Sequence, residues 1–248
     1  DGVKLMEHVD SGKSKKMAIV GGGHTGLEMA EAFHKRGTEV HLFQKGPRLL
    51  PQFDADITDG LDQFVMEKGI KLHLDSEVKS LGEGKREGHV GVVSAGGKEV
   101  HVDGVLVAMG VKPSTAFATK GGVHALSTGH LLVDDTMRTN FHDMWAAGDC
   151  VAARHLITGR PTGMALALPS NRMGRVAGDS IAASLERIPG PSQSFGGVVG
   201  TSIMRIFGLA FAQTGLNELQ AKKEGFDVAI SLVESKSKAT YMPGSRDM

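Results

Sequence analysis

A short apolar run that ends on glycines and reopens as an amphipathic helix constrains this chain more than any other feature. Met17-Ala18-Ile19-Val20 leads into Gly21-Gly22-Gly23-His24-Thr25-Gly26. Leu27, Ala30 and Phe33 then recur at helical spacing until Gly37 supplies a stop. A continuous apolar run of this length reads as a parallel strand buried on both faces. The segment therefore predicts strand, glycine turn and helix, the opening of an α/β unit. Three glycines in that setting have separate tasks: the first for a tight turn, the second for close backbone approach to a pyrophosphate, the third for helix packing. Gly21, Gly23 and Gly26 stand at those spacings. Phosphates would sit at the helix N-terminus, where unpaired N–H groups and the helix dipole favour negative charge. A purely structural turn is the alternative.

The pattern continues as such a unit should. Glu39 to Phe43 reads as a second strand, followed by the loop Lys45-Gly46-Pro47-Arg48. A second helix is expected from about Asp54 to Lys68, with Ile57, Leu61, Phe64 and Val65 on one face and Gly69 closing it. Ile70 to Leu74 makes a third strand. Val78 to Val102 alternates between turn signals at Gly82, Gly84 and Gly96-Gly97, which predicts a small antiparallel meander, and Val105 to Met109 returns to the buried parallel type. These elements outline a dinucleotide-binding domain over residues 12–113. Residues 1–11 read as a linker or helix end, and the run Lys13-Ser14-Lys15-Lys16 leads into the first strand.

Beyond Ser114 the pattern changes. Short strands are expected at Leu131 to Val133 and Met144 to Ala147, then a long helix from about Ser170 to Leu185, ended by Pro189-Gly190-Pro191. Residues 114–192 form the second region. A third, 193–248, carries a strand-like stretch from Gly200 to Gly208, a polar helical piece over Glu218 to Lys223 and a strand at Asp227 to Val233, and reads as stopping mid-domain.

Composition removes several classes of partner. Lys plus Arg and Asp plus Glu number 28 each, so no net field draws in nucleic acid or an anionic membrane. The most apolar long stretch, Phe195 to Gly215, is interrupted by Arg205 and Gln213 and falls short of a membrane span. The first twenty residues lack a signal-peptide pattern, so a cytoplasmic location is expected. One cysteine, Cys150, excludes an intrachain disulfide and reads as a small buried residue. The eleven histidines show no HxxxH spacing, so no metal site is expected, and there is no G-x-S-x-G elbow.

At the end of the second strand, a carboxylate about 20 residues beyond the glycines would bind an adenosine ribose. Gln44 stands there instead, with Lys45 and Arg48 following. NADPH thus becomes possible alongside NADH if those cations meet a 2′-phosphate; the alternative is that they are solvated loop residues.

Five motifs in order give the chain a family resemblance: Gly21 through Ala32, Val107-Ala108-Met109-Gly110-Val111-Lys112-Pro113, Ala146-Ala147-Gly148-Asp149-Cys150, His155 through Pro161, and Asn171-Arg172-Met173-Gly174-Arg175. Along nearly its whole length it resembles the pyridine nucleotide–disulfide oxidoreductases, in the branch of coenzyme A disulfide reductases, NADH oxidases and NADH peroxidases. The resemblance implies an α/β fold: a Rossmann-like NAD(P)-binding domain with a β-meander, then part of an FAD-binding domain, then a truncated α+β interface domain that forms a homodimer. It implies FAD and NADH or NADPH as cofactors and a small-molecule acceptor. By its terms Gly148 and Asp149 hold the flavin ribityl chain, Ser170 and Asn171 open a helix aimed at the flavin, and Glu28 lies by the nicotinamide.

Departures from the family pattern are His24-Thr25, where an aromatic and an aliphatic residue are common, and Ala165 and Ser170, where proline and alanine are usual. The chain opens at Asp1 with a single glycine fingerprint, so it is expected to be a piece of a longer protein, with the redox-active cysteine outside it and the catalytic residues unknown. Ferredoxin- or nitrite-reductase-type electron transfer, an inert nucleotide-binding module, and an interaction protein using Val198 to Phe211 as a dimer surface are the alternatives.

Overall fold

The computed structural model describes residues 2–12, 14–84, 89–94, 97, 99–185 and 193–245. Lys13, Gly96 and the Pro189-Gly190-Pro191 stop lie outside the described residues. Two compact units emerge, Asp1–Leu216 and Asn217–Met248.

The first unit opens with helix α1 (Gly2–Asp10), where a linker or helix end was expected. Val9 buries its side chain in the main core, and Asp10 pairs with Arg36 at 3.2 Å. Strand β1 (Lys16–Val20), helix α2 (His24–Lys35) and strand β2 (Glu39–Phe43) follow closely the pattern of the apolar runs. The second predicted helix is broken. A 3-10 turn at Asp56–Thr58 is followed by Gly60 in the left-handed region (φ 71°), and only Leu61–Glu67 is α-helical (α3). Ile57 is accordingly exposed, so four apolar residues at helical spacing were not one continuous face.

Strand β3 (Lys71–His73) precedes the meander β4 (Val78–Glu83), β5 (Val90–Ser94) and β6 (Glu99–Val102), and β7 (Gly104–Val107) returns to the main sheet. The sheet order is β3-β2-β1-β7, with every pairing parallel. Alternation along the strands explains how both faces are buried. Met17, Ile19, Val40 and Leu42 face one core with Leu27, Ala30 and Phe33 of α2, whereas Ala18 and Phe43 face Val92 and Val102 of the meander. The meander thus serves as the crossover and covers the face a second helix layer would otherwise take.

Helix α4 (Ala116–Lys120) leads to β8 (Leu131–Leu132), β9 (Val151–Arg154) and β10 (Pro161–Gly163), which form a small sheet in the order β10-β9-β8. The strand expected at Met144 to Ala147 is absent; Trp145 makes only an isolated bridge to Arg138, and the strand comes after the Gly148 turn instead. Helix α5 spans Ala167–Ser184, opening three residues earlier than expected. Pro169 falls in its first turn, where a missing N–H costs little.

Strands β11 (Ser202–Ile206) and β12 (Leu209–Gln213) form a hairpin turned by Phe207 and Gly208, both at positive φ. Met204, Ile206 and Phe211 pack into the core of the parallel sheet, so one face of this hairpin is core, while Val199, Ile203 and Leu209 are exposed. The Phe207 N–H donates to Glu31 of α2 at 2.9 Å. Burial would raise the Glu31 pKa, but Lys35 and that N–H outweigh it and hold it low.

In the second unit, helix α6 (Glu218–Lys223) has a capping box: the Gln220 N–H donates to Asn217 Oδ1 at 2.8 Å, and the Asn217 N–H to Gln220 Oε1 at 3.1 Å. The strand expected at Asp227 to Val233 does not form. Ile230, Leu232 and Val233 are exposed, and an apolar run becomes a strand only where another strand takes up its backbone groups.

A polar chain crosses the meander side of the main sheet. His41 Nδ1 and His73 Nε2 are 3.0 Å apart, and His41 Nε2 lies 3.0 Å from Glu39 Oε1. Lys71 and Lys16 also pair with that carboxylate. Lys71, then His41 and Lys16, hold the Glu39 carboxyl down at about 2, while burial pushes His41 below its ordinary value despite Glu39. Both groups bind a proton less readily folded than unfolded, so stability falls as pH falls. The loss begins below the ordinary histidine pKa of about 6.5 and resumes below the ordinary carboxylate pKa of about 4.3. We expect the urea midpoint to drop between pH 7.5 and 5.5, and to drop less in His41→Phe. Equal drops in the two proteins would show that His41 does not carry the effect.

Candidate functional site

The glycine turn is built by contacts that leave no room for side chains at two of its positions. A Cβ on Gly26 would lie 1.8 Å from the Gly21 carbonyl oxygen, and one on Gly21, itself at φ 118°, would lie 2.3 Å from the Ala108 oxygen. These glycines let α2 start directly against β1 and β7. At Gly23 the reverse holds: its backbone is extended, and a Cβ would meet nothing within 4 Å. Folding therefore gives no reason for glycine at Gly23. The open space beside it is the kind of cradle a pyrophosphate fills.

Gly23 is also the N-cap of α2, and it supplies no side chain to cap the first-turn amides. The first turn holds no acidic residue, so the positive end of the helix is uncompensated. Gly23, His24 and Thr25 line a cavity of about 610 Å³ together with Gly110, Lys112 and Asp149. Gly110 sits at φ 95° in the loop after β7. A second cavity of about 430 Å³ is shared by His24 and Glu28 with Leu166, Pro169, Phe195 and Ile203. His24 lines both.

The loop after β2 braces the turn. The Gly22 N–H donates to Gln44 Oε1 at 3.0 Å, Gln44 Nε2 donates to the Arg48 carbonyl at 3.3 Å, and the Leu50 N–H donates to the Gly22 carbonyl at 2.9 Å. Gln44 is thus a strut for the glycine turn. Arg48 spends its guanidinium on the same loop, donating to the Phe53 carbonyl at 2.8 Å, the Pro51 carbonyl at 3.1 Å and Thr58 Oγ1 at 3.1 Å. Lys45 pairs with Glu77 at 2.9 Å. Neither cation is an unengaged loop residue.

On the other wall, Gly148 takes the left-handed conformation (φ 88°) and Asp149 accepts a hydrogen bond from the Ser170 hydroxyl. That bond ties the turn to α5. The Ser170 N–H is already bonded to the Leu166 carbonyl at 3.1 Å, so the amides unpaired within α5 belong to Ala167 and Leu168. Asn171 is exposed and lines neither cavity.

The structure therefore brings Gly23, His24, Thr25, Gly110 and Asp149 to one cavity, puts Glu28 on the next, leaves Gln44 and Arg48 bracing the turn and its loop, and pairs Lys45 with Glu77 on the surface. Lys112, Cys150 and Arg172 also line these spaces. Lys112, Cys150 and Arg172 all stand in the family motifs; nothing in the local sequence marks Phe53, whose ring meets His24 edge-to-face at 5.7 Å. Among the described residues no three His, Cys, Asp or Glu side chains are grouped as a metal site, and no helix is long and apolar enough to cross a membrane.

Comparison with known proteins gives a consistent result. Residues 3–174 match the family model for pyridine nucleotide-disulphide oxidoreductase. The NAD(P)H sulfur oxidoreductase (CoA-dependent) of Pyrococcus abyssi is 34% identical over 252 residues, covering 100% of this chain and 53% of the relative. An NADH oxidase of Methanocaldococcus jannaschii is 30% identical, covering 100% and 53%. The solved structure of an NAD-dependent persulfide reductase from A. fulgidus superposes with a TM-score of 0.89 at 32% identity, over 99% of this chain and 44% of that one. The chain thus spans about half the length of the curated relatives it matches.

Two substitutions separate fold from ligand at the glycine turn. Gly26→Ala should cost about 3 kcal/mol of unfolding free energy, because the new methyl meets a backbone oxygen. Gly23→Ala should leave the thermal midpoint within a few degrees of wild type while weakening binding of ADP-ribose, measured by calorimetry, about tenfold or more. Loss of stability in Gly23→Ala, or unchanged ADP-ribose affinity, would contradict the cradle.

Proposed function

This chain belongs to the pyridine nucleotide-disulphide oxidoreductase family, and from that premise we propose that it is the nicotinamide-nucleotide-binding part of a longer FAD- and NAD(P)H-dependent oxidoreductase. The observation that carries the reading is the open cradle at Gly23 beside the uncapped start of α2. The pyrophosphate of NADH or NADPH lies there on the first-turn amides, and Glu28 lies beside the nicotinamide. Arg48 is committed to loop carbonyls and Lys45 to Glu77, so reading a 2′-phosphate would draw on Lys45 at the expense of its ion pair.

Asp149, steadied by Ser170, holds the ribityl chain of FAD, and the amides of Ala167 and Leu168 at the start of α5 favour negative charge on the flavin edge. Supporting this, Asp149 and Gly23 line the same cavity, so residues for the two nucleotides meet in one space. When bound, the cofactors would supply the redox chemistry, hydride transfer between nicotinamide and flavin and delivery of two electrons to a small-molecule acceptor, while the protein would hold and orient them. For the acceptor we propose a persulfide or coenzyme A-linked disulfide, in keeping with the names of the P. abyssi and A. fulgidus relatives, with oxygen or peroxide as the other outcome. The protein acts in the cytoplasm as a homodimer formed through its C-terminal region.

A second reading is favoured by the chain's covering about half of its relatives: residues 1–248 alone bind the nicotinamide nucleotide without turnover. Ferredoxin- or nitrite-reductase-type electron transfer would use the same fold.

Absorption spectroscopy of the full-length polypeptide tests the proposal. A bound flavin band that bleaches anaerobically on adding NADH or NADPH, and recovers with a persulfide, is the expected result. Colourless protein, or a band that neither nucleotide bleaches, would contradict it.

A further inference from the structure

His24 stands at the boundary of the two cavities, and its environment is chemically incomplete. Its ring lies edge-to-face against Phe53, with centroids 5.7 Å apart, and its Nε2 is buried with no hydrogen-bond partner. A buried polar atom left unpaired keeps the desolvation penalty with nothing to offset it. The second cavity repeats the theme. Leu166, Pro169, Phe195 and Ile203 make its walls mainly apolar, yet the Ser202 hydroxyl among them is also buried and unpartnered. Apolar walls with a few polar groups to fix orientation are the usual make-up of a small-ligand site. Two orphaned polar atoms on one such cavity mark where a flat ring with a polar substituent would complete the hydrogen bonding.

We infer that His24 is a specificity-determining residue of the dinucleotide site, whose Nε2 hydrogen-bonds the carboxamide on the nicotinamide ring. This rests on the nucleotide-binding reading and deepens it. The carboxamide is both donor and acceptor, so it satisfies either tautomer of the imidazole; Ser202 offers a second hydroxyl partner on the same cavity. His24 borders both spaces, so a nicotinamide entering either one comes alongside this residue. A phenylalanine or tyrosine ring at this position would cover the same area but place no nitrogen there. The pyrophosphate end of the nucleotide, held by the glycine turn, does not depend on the imidazole.

Calorimetric titrations of the full-length polypeptide with NAD⁺ and with ADP-ribose, which lacks the nicotinamide, separate the two ends. His24→Phe keeps a ring against Phe53 and should weaken NAD⁺ about tenfold, or about 1.4 kcal/mol, while ADP-ribose stays within about twofold. His24→Gln, which restores a hydrogen-bonding group, should recover part of the loss, and it serves as the main variant if His24→Phe fails to fold. Unchanged NAD⁺ affinity in both variants, or an equal fall for NAD⁺ and ADP-ribose, would overturn the inference. If the wild-type protein binds NAD⁺ no better than ADP-ribose, the carboxamide contact is likewise ruled out. If it binds neither, the nucleotide-binding reading itself has failed.

Discussion

Everything at the candidate site depends on one close approach, that of Gly26 to the carbonyl of Gly21. With only hydrogen on Gly26, α2 can begin immediately where β1 ends; a methyl there would sit 1.8 Å from an oxygen. The approach seats Leu27, Ala30 and Phe33 on the sheet and presents the uncapped start of α2 to the cavity. Packing and polarity are thus set by the same contact. Cohesion of the core holds the helix down, and its unpaired amides are the groups on which we propose that the pyrophosphate rests.

The loop after β2 finishes what that contact begins. Gly22 has its N–H taken by Gln44 and its carbonyl by Leu50, so the turn is held from outside the β1–α2 unit. Arg48 in turn gathers the carbonyls of Pro51 and Phe53, and Leu50 accepts a positive φ of 47° within this bracing. The strain at Leu50 is offset by complete burial of its side chain in the main core. A side chain that reads from the sequence as a candidate phosphate ligand is, in three dimensions, the organiser of the wall behind the site.

Legibility followed the range of the forces involved. Strands β1 and β2, the meander, β7 and helix α6 rest on local apolar runs, alternation or a capping box, and the sequence shows them within a residue or two. The expected helix over Asp54 to Lys68 was broken because Gly60 takes a left-handed conformation that spacing cannot reveal. The strands expected at Met144 to Ala147 and Asp227 to Val233 were apolar enough but take no strand partner among the described residues beyond the single Arg138–Trp145 bridge. For the site, the glycines stand out by their spacing between a strand and a helix, whereas Glu28 and Asp149 are suggested only by the family resemblance. The commitments of Gln44 and Arg48 arise from contacts 2 to 22 residues apart in sequence and the unpaired Nε2 of His24 from a missing contact, and only the folded structure displays them.

The central claim is that a dinucleotide pyrophosphate rests on the first turn of α2. Backbone amide shifts in a nitrogen-15 NMR spectrum, followed as ADP-ribose is added to the 248-residue chain, test it most directly. The account predicts the largest shifts at Gly23, His24 and Thr25, with Gly110 next and the second unit unmoved. Saturable shifts centred elsewhere, with those amides unchanged, would contradict it.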